Sequence, residues 1–248
     1  ITNVSDRYMV TYFVGASQNG LYTAASKIPN FVILFSTVFI DAWQLSAVDE
    51  YDSDSREAFF TKVFRVYSGG IFVVASLLIF FCRFITKILV SKDYYVSWKF
   101  VPVLIIATSF SCLVNFLASV YMAEKKSFMG MVTAMSGAFT NIVLNLVLIP
   151  AMGATGAAVA TVVAYVVVLV FRMFNTHKYI KIDFKPVALV GQALILVAQC
   201  IVMLNVNNDV VMYGIEAVLI ALMLVFNFKP IKELVTLILG KYLHKKVN

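Results

Sequence analysis

The sequence predicts an all-α integral membrane protein with about seven transmembrane helices. Of its 248 residues, 61% are hydrophobic and only 13% are charged, whereas a soluble domain carries about 25% charged residues. The apolar residues form continuous runs, and each run approaches the roughly 20 residues that a helix needs to cross the hydrocarbon. A membrane β-barrel would instead show segments of about ten residues with strict alternation. Helices are therefore the predicted membrane-spanning elements.

Seven apolar stretches define the predicted spans, and the segments between them define the domains. The spans cover residues 28–48, 66–90, 100–122, 128–149, 155–174, 187–206 and 210–228. The chain then divides into an extracytoplasmic segment with the end of a truncated span (1–27), a five-span core (28–174), a cytoplasmic loop (175–186), an additional two-span hairpin (187–228) and a basic cytoplasmic tail (229–248). Because the opening residues resemble the end of a span, we expect a later part of a longer protein. Pro150 is predicted to end the fourth of these spans at an outer turn.

Basic residues are unevenly distributed between the two sides of the predicted bundle. Fourteen of the 20 lysines and arginines fall on one side, which includes the C-terminal tail, and six fall on the other. The positive-inside rule places the richer side, and the C-terminus, in the cytoplasm. The net charge of +7 is thus explained by membrane-flanking anchors. No basic stripe is interleaved with aromatic residues, so nucleic acid is not an expected partner.

The first predicted span carries a polar stripe with an ionisable group. Five residues form this stripe: Lys27, Asn30, Thr37, Asp41 and Gln44. The last four lie within about 60° of one another at 3.6 residues per turn. Such a stripe is typical of a hydrated cavity used for substrate or proton coupling. The alternative is that Asp41 lies near the cytoplasmic interface and simply reaches water.

Polar residues recur in the later spans. Asn115 belongs to a milder polar face of the third span, and Asn141 and Asn145 lie one turn apart on the fourth. Hydrogen bonds to a neighbouring helix are the favoured interpretation of these two amides, with a substrate contact as the alternative. In the hairpin, Gln199 and Glu216 lie at similar depths, which suggests that they pair across the turn.

Two further patterns are assigned to packing. Cys82, Cys112 and Cys200 lie within spans at no metal-binding spacing, so they are predicted to be small core residues. The small residues that open the fifth span include Ala157 and Thr161, and they are predicted to let another helix approach closely. We therefore expect no metal site and no cofactor, with H⁺ or Na⁺ as the candidates for a coupling ion.

Three stretches together carry a family resemblance. They are DRYMVTYFVGASQNGLYTAASKIP (6–29), FIDAWQLSAVDEY (39–51) and NIVLNLVLIPAMGATGAAVATVVAY (141–165). The first resembles the segment that joins the seventh and eighth spans of the Wzx-type polysaccharide flippases. The second is similar to the cytoplasmic end of their eighth span, and the third to their eleventh and twelfth spans. These flippases belong to the multidrug/oligosaccharidyl-lipid/polysaccharide (MOP) exporter superfamily, which also contains the MATE exporters.

The resemblance implies a fold of about 14 spans in two bundles, of which this chain would supply most of the C-terminal bundle. It implies that a polyprenyl-pyrophosphate-linked oligosaccharide is flipped from the inner to the outer leaflet by alternating access, without enzymatic catalysis. The implied partners are this lipid-linked oligosaccharide, the bilayer, a polysaccharide polymerase and chain-length proteins. The implied location is a bacterial or archaeal cell membrane. Asp6, Arg7 and Lys27 match charged positions of the family, whereas Asp41 does not.

The sequence leaves three other classes of function open. A MATE-type cation-coupled drug or metabolite antiporter shares the fold, and it would favour an acidic cation site with little positive charge in the cavity. A membrane-embedded glycan polymerase, ligase or acyltransferase needs a catalytic base or metal ligands. The only histidines, His177 and His244, lie at the predicted cytoplasmic edge without a paired acidic motif. A non-transporting scaffold would not need several aligned polar faces.

Overall fold

A computed structural model describes residues 2–50, 56–230 and 232, with side chains for 4–41, 56–230 and 232. This part of the chain contains helices and no β-strand. The ten α-helices are α1 (Thr2–Phe13), α2 (Ala16–Ala25), α3 (Asn30–Glu50), α4 (Arg56–Phe80), α5 (Cys82–Leu89), α6 (Val101–Ala123), α7 (Ser127–Met152), α8 (Ala154–Thr176), α9 (Pro186–Asn205) and α10 (Asp209–Phe226). A 3₁₀ helix, Lys92–Lys99, connects α5 to α6. The predicted all-α fold is confirmed, and the residues of the basic tail beyond 232 lie outside the described part.

Six of these helices, α4 and α6 to α10, are long and apolar enough to cross a membrane. Helices α2 and α3 make a seventh candidate, in which Ala16–Ala25 and the first part of α3 are bent by 40° at a short break. The chain is therefore a multi-pass membrane protein. Helix α2 packs against α1, which packs in turn against α7, whereas α3 packs against α4 and α6.

The second span lies about ten residues earlier than the sequence predicts. The prediction began the span at residue 66, because hydropathy rises only after Arg65. The structure starts α4 at Arg56, and its charged first turns are paired at the end of the bundle: Arg56 lies 3.1 Å from Glu124, and Arg65 forms an ion pair with Asp183. At the other end the helix breaks at Phe81, and α5 continues separately.

The turn between α7 and α8 also differs from its prediction. Pro150 lies within α7, which continues to Met152. The missing N–H of this proline removes one hydrogen bond near the helix end, where the helix tolerates the loss. The chain reverses at Gly153, whose φ of +62° is in the left-handed region that favours glycine. Its N–H donates to the carbonyl of Ile149 at 2.8 Å and closes the last turn.

Apolar side chains fill the interior and also cover much of the outer surface. Tyr67 and Phe116 stack in the interior with ring centroids 5.1 Å apart, and the three cysteines are buried as predicted. Large apolar side chains such as Val187 and Phe174 are exposed. An outer surface of this kind is suited to lipid, because hydrocarbon does not penalise exposed apolar groups.

Polar contacts attach the α9–α10 hairpin to itself and to the core. The predicted pair between Gln199 and Glu216 is present, with Nε2 donating to Oε2 at 2.8 Å. Near the turn of the hairpin, Arg83 donates to Asp209 Oδ1 at 2.9 Å and lies 4.3 Å from the centroid of the Trp98 ring. These contacts satisfy part of the polar groups, while Gln199 Oε1, Glu216 Oε1 and Arg83 Nε have no hydrogen-bond partner within the described part of the chain.

We expect Gly156→Ala to destabilise the α7–α8 hairpin. A Cβ atom at Gly156 would overlap the backbone of Leu148, which cannot move like a flexible side chain, so a loss of about 1–3 kcal/mol is expected. Gly214→Ala is the matched control, because no atom lies within 4 Å of the added Cβ. Thermal unfolding of both variants in detergent measures the difference. Equal melting temperatures would contradict the close approach of α7 and α8.

Candidate functional site

Helix α1 directs two neighbouring charges into different surroundings. Successive residues of an α-helix point about 100° apart, so Asp6 faces α7 and α8 while Arg7 faces outward. The Asp6 side chain is only 1% exposed, whereas Arg7 is exposed. The result is a buried acidic cluster behind an open basic pocket.

The Asp6 carboxylate accepts hydrogen bonds from four neutral side chains. Its Oδ1 accepts from Asn141 Nδ2 at 3.0 Å and from Asn145 Nδ2 at 2.7 Å. Its Oδ2 accepts from Thr161 Oγ1 at 2.6 Å and from Tyr22 Oη at 3.2 Å. The donors come from α2, α7 and α8, so Asp6 joins its own helix to three others. We call these five residues the Asp6 cluster.

The Asp6 cluster contains no basic residue. Among the described residues, none of the ion pairs involves Asp6. An ionised carboxylate buried away from water is costly, and hydrogen bonds to the charge offset part of that cost. A bound proton or cation would remove the remaining cost by neutralising the charge.

The cluster also has oxygen atoms that could contact a cation. Asn141 Oδ1 accepts from Ser5 Oγ at 3.0 Å and from Asn145 Nδ2 at 3.2 Å. Asn145 Oδ1 is buried and has no hydrogen-bond partner within the described chain. A carboxamide exchanges its oxygen and NH₂ by a half-turn, so both amides can present oxygen beside the carboxylate. Carboxylate, amide and hydroxyl oxygens are ligands for a hard cation such as Na⁺. Elsewhere in the described residues, no group of three His, Cys, Asp or Glu side chains forms a metal site.

The open basic pocket lies on the other side of Tyr22 and has a volume of about 300 Å³. Two cationic side chains, Arg7 and Lys27, line it together with the amide of Asn30. Four residues with hydroxyl groups also line it: Tyr22, Thr23, Ser26 and Thr108. None of its lining residues is acidic. Two cations surrounded by neutral hydrogen-bonding groups suit an anion with polar substituents.

Tyr22 connects the basic pocket to the Asp6 cluster. Its side chain is only 3% exposed, yet it lines the pocket and donates to Asp6 Oδ2. Tyr22 therefore touches both the buried carboxylate and the pocket. The Asp6 cluster and the basic pocket are contiguous and together form one candidate site.

The structure separates the predicted cavity residues into two groups. Arg7, Lys27 and Asn30 meet in the basic pocket. Asp6, Asn141 and Asn145 were predicted as cavity-lining candidates, but their side chains are at most 1% exposed. They form the buried cluster because both amides donate to the Asp6 carboxylate on a neighbouring helix. The interhelical hydrogen bonds predicted for the two asparagines are present.

The remaining predicted site residues lie apart from both groups. Thr37, Asp41 and Asn115 are exposed and do not line the basic pocket. The hydroxyl of Thr37 donates to the carbonyl of Ile33 in its own helix at 3.0 Å. The Gln44 side chain lies outside the described residues. Their role in a cavity stays a prediction.

Sequence reasoning missed two members of the Asp6 cluster, Tyr22 and Thr161. Thr161 was assigned to a packing pattern with Ala157, because a threonine is small enough for close helix approach. Its hydroxyl was the available signal, since a polar group in a buried helix face needs a partner. Tyr22 gave no comparable signal, because an amphipathic aromatic residue near a helix end is common in membrane proteins.

No protein-family model and no curated protein matches the chain. Among solved structures, the chain is similar to a protein described as lipid II flippase MurJ in an inward closed conformation, with a TM-score of 0.66 and 16% sequence identity. The match covers 95% of this chain and 51% of that protein. The chain therefore has the fold of about half of that protein.

We expect Thr161→Val to destabilise the protein by about 1–3 kcal/mol. Valine keeps the shape of threonine, but it removes a donor to the buried carboxylate and leaves Asp6 Oδ2 under-satisfied. Thr155→Val, on the same helix but outside the Asp6 cluster, is the control and should cost less than about 0.5 kcal/mol. Thermal or denaturant unfolding in detergent measures both. Equal stabilities would show that the Thr161 hydrogen bond contributes nothing.

Proposed function

We propose that this chain is the C-terminal bundle of a transporter that flips a polyprenyl-pyrophosphate-linked oligosaccharide from the inner to the outer leaflet for surface polysaccharide export. The observation that carries the proposal is the basic pocket, formed by Arg7 and Lys27 within the fold of a lipid-linked flippase. The reaction is a movement by alternating access, without enzymatic catalysis. The chain spans about half the length of the solved transporter that it matches, so a second bundle would complete the cavity.

The chemistry of the basic pocket fits the polar part of such a substrate. Pyrophosphate carries several negative charges, and arginine and lysine bind phosphate through charge-assisted hydrogen bonds. The amide of Asn30 and the hydroxyl of Thr108 can exchange hydrogen bonds with sugar hydroxyls. The volume of about 300 Å³ holds a pyrophosphate and at most the first sugar. We therefore assign the pyrophosphate end of the substrate to this pocket.

The proposal includes an orientation and a set of partners. The cell membrane of a bacterium or archaeon is the proposed location, with the C-terminus in the cytoplasm, supported by the uneven distribution of lysine and arginine. The pocket residues would then lie in the outer half of the membrane. A polysaccharide polymerase and chain-length proteins would receive the flipped unit on the outer side.

Arg7→Ala and Lys27→Ala should each reduce export of the lipid-linked unit by roughly tenfold, because each removes a charged contact with phosphate. The variants are placed in the intact transporter and tested for restoration of surface polysaccharide in a deletion strain. Protein level in the membrane is measured in parallel. Normal export in both variants would exclude the two cations from the substrate site.

Lys99→Ala is the matched control for this experiment. Lys99 is an exposed basic residue that precedes α6, and it does not line the basic pocket. Its removal changes net charge equally and should leave export unchanged. If the deletion strain still places the lipid-linked unit in the outer leaflet, flipping is not the function of this protein.

We further propose that transport is coupled to a proton or a sodium ion bound in the Asp6 cluster. Support comes from the buried carboxylate, the lack of a basic partner and the spare oxygen of Asn145. Binding of either ion neutralises Asp6 at a site that touches the basic pocket through Tyr22. Ion binding and anion binding would then influence each other, as linkage requires.

The same acidic cluster gives a specific reason to consider a MATE-type antiporter as the second candidate. A cation-coupled antiporter of drugs or metabolites needs an acidic cation site, and Asp6 supplies one. However, such a transporter carries mostly cationic substrates, which Arg7 and Lys27 would repel from the pocket. Competition in liposomes between a short polyprenyl pyrophosphate and a lipophilic cation distinguishes the two candidates.

Asp6→Asn should abolish the response of transport to an ion gradient, because the neutral amide no longer gains a proton or a cation. The intact transporter is reconstituted in liposomes, and flipping of a fluorescent lipid-linked sugar is followed with and without Na⁺ or pH gradients. Replacing Na⁺ by choline at constant pH separates the two ions. Asp93→Asn is the matched control, because Asp93 is an exposed carboxylate of the 3₁₀ helix outside the cluster. A gradient response that survives in Asp6→Asn would remove the cluster from coupling.

A further inference from the structure

A second cavity, of about 1060 Å³, opens between α4 and the α9–α10 hairpin. It lies where α9 begins and α10 ends, and the first turns of α4 form its third wall. The Asp6 cluster and the basic pocket share no lining residue with it. We call it the hairpin pocket.

The rim of the hairpin pocket is cationic. Four basic side chains line it: Lys62, Arg65, Lys185 and Lys229. The nearby acidic side chain of Asp183 pairs with Arg65 and lies 4.0 Å from Lys185 Nζ. Among the described residues, this one carboxylate against four cations leaves an excess of positive charge, which favours an anionic occupant.

Two buried polar atoms on the lining lack a partner within the described part of the chain. One is the N–H donor at Arg65 Nε, and the other is the acceptor Gln192 Oε1. The Gln192 side chain is only 6% exposed, and its Nε2 is already used, because it donates to Asn227 Oδ1 at 2.7 Å. Unpartnered buried polar atoms are costly and rare in native proteins. A ligand that offers both an anionic acceptor and a hydroxyl donor would satisfy both atoms.

The remaining wall of the hairpin pocket is apolar and continues to the outer surface. Leu189 and Leu224 line the interior of the cavity, and Phe228 stands at its rim with 67% of its surface exposed. Lysines at the rim and apolar side chains beneath them match the boundary between lipid headgroups and acyl chains. The occupant is therefore expected to be amphipathic.

We propose that the hairpin pocket binds an anionic glycerophospholipid whose headgroup carries a free hydroxyl, as phosphatidylglycerol does. The phosphate accepts from Arg65 Nε and attracts Lys62 and Lys229, while the headgroup hydroxyl donates to Gln192 Oε1. The acyl chains follow Leu224 and Phe228 towards the bilayer. The lipid thus contacts α4 of the core together with both helices of the hairpin, and it holds them together.

Native mass spectrometry of the intact purified protein tests the proposal with phosphatidylglycerol and phosphatidylcholine of identical acyl chains. Phosphatidylglycerol should bind at least about tenfold more tightly, because each lysine near an anionic headgroup adds several-fold in affinity. The double variant Lys62→Gln/Lys229→Gln should lose about tenfold in affinity for phosphatidylglycerol. Lys178→Gln/Lys181→Gln removes the same charge from exposed positions before α9 and should change the affinity by less than about twofold.

A second variant tests the Arg65 contact separately. Arg65→Lys keeps the positive charge, but it removes the Nε–H donor, so phosphatidylglycerol should bind several-fold more weakly. Equal binding of the two lipids, or unchanged affinity in both Lys62→Gln/Lys229→Gln and Arg65→Lys, would overturn the proposal. Displacement by a short polyprenyl pyrophosphate at lower concentration than by phosphatidylglycerol would also overturn it, since the pocket would then belong to the carrier lipid. None of these results depends on transport, so the test stands apart from the proposed flippase function.

Discussion

The structure depends most on the buried carboxylate of Asp6. Among the described residues, only neutral donors hold this carboxylate, and those donors come from three other helices. In lipid, the apolar side chains give little preference for one helix arrangement over another, because hydrocarbon is as apolar as they are. Directional hydrogen bonds to one charged group do favour a single helix arrangement, since any sliding of α1 along α7 would leave the Asp6 charge unsatisfied.

The opposite end of the same helices is fixed by a buried cation in a similar way. Arg172 on α8 donates to Val114 O at 2.6 Å and to Thr133 Oγ1 at 3.0 Å, and it faces the ring of Tyr121. Thr133 and Asn141 lie eight residues apart on α7, which corresponds to about 12 Å along the helix. Each charge is therefore satisfied locally, and the two charges are too far apart to pair. Buried polar contacts at Asp6 and at Arg172 therefore hold the core helices together at two depths. Small residues allow α7 and α8 to approach closely.

The sequence predicts the fold better than it predicts the site. Hydropathy identifies helices because lipid requires every backbone group to be bonded within its own segment. Hydropathy placed the start of α4 too late, because charged residues such as Arg65 can remain helical when a residue such as Asp183 pairs with them. Among the site residues, the paired spacing of Asn141 and Asn145 predicted an interhelical role. Their partner Asp6 could not be predicted, because it lies 135 residues away in sequence from Asn141 and no periodicity reports such a contact.

The adjacency of Asp6 and Arg7 suggests a physical basis for the proposed coupling between ion binding and anion binding. On one helix these residues face opposite environments, and Tyr22 touches the first while lining the pocket of the second. With Asp6 ionised, its negative charge lies directly behind the pocket and weakens the attraction of Arg7 and Lys27 for an anion. In the proposed mechanism, a proton or Na⁺ at Asp6 removes that opposition, so the pocket would hold pyrophosphate more tightly when the cluster is occupied. By reciprocity, a bound pyrophosphate would strengthen ion binding, and loss of the ion would weaken the hold on the substrate.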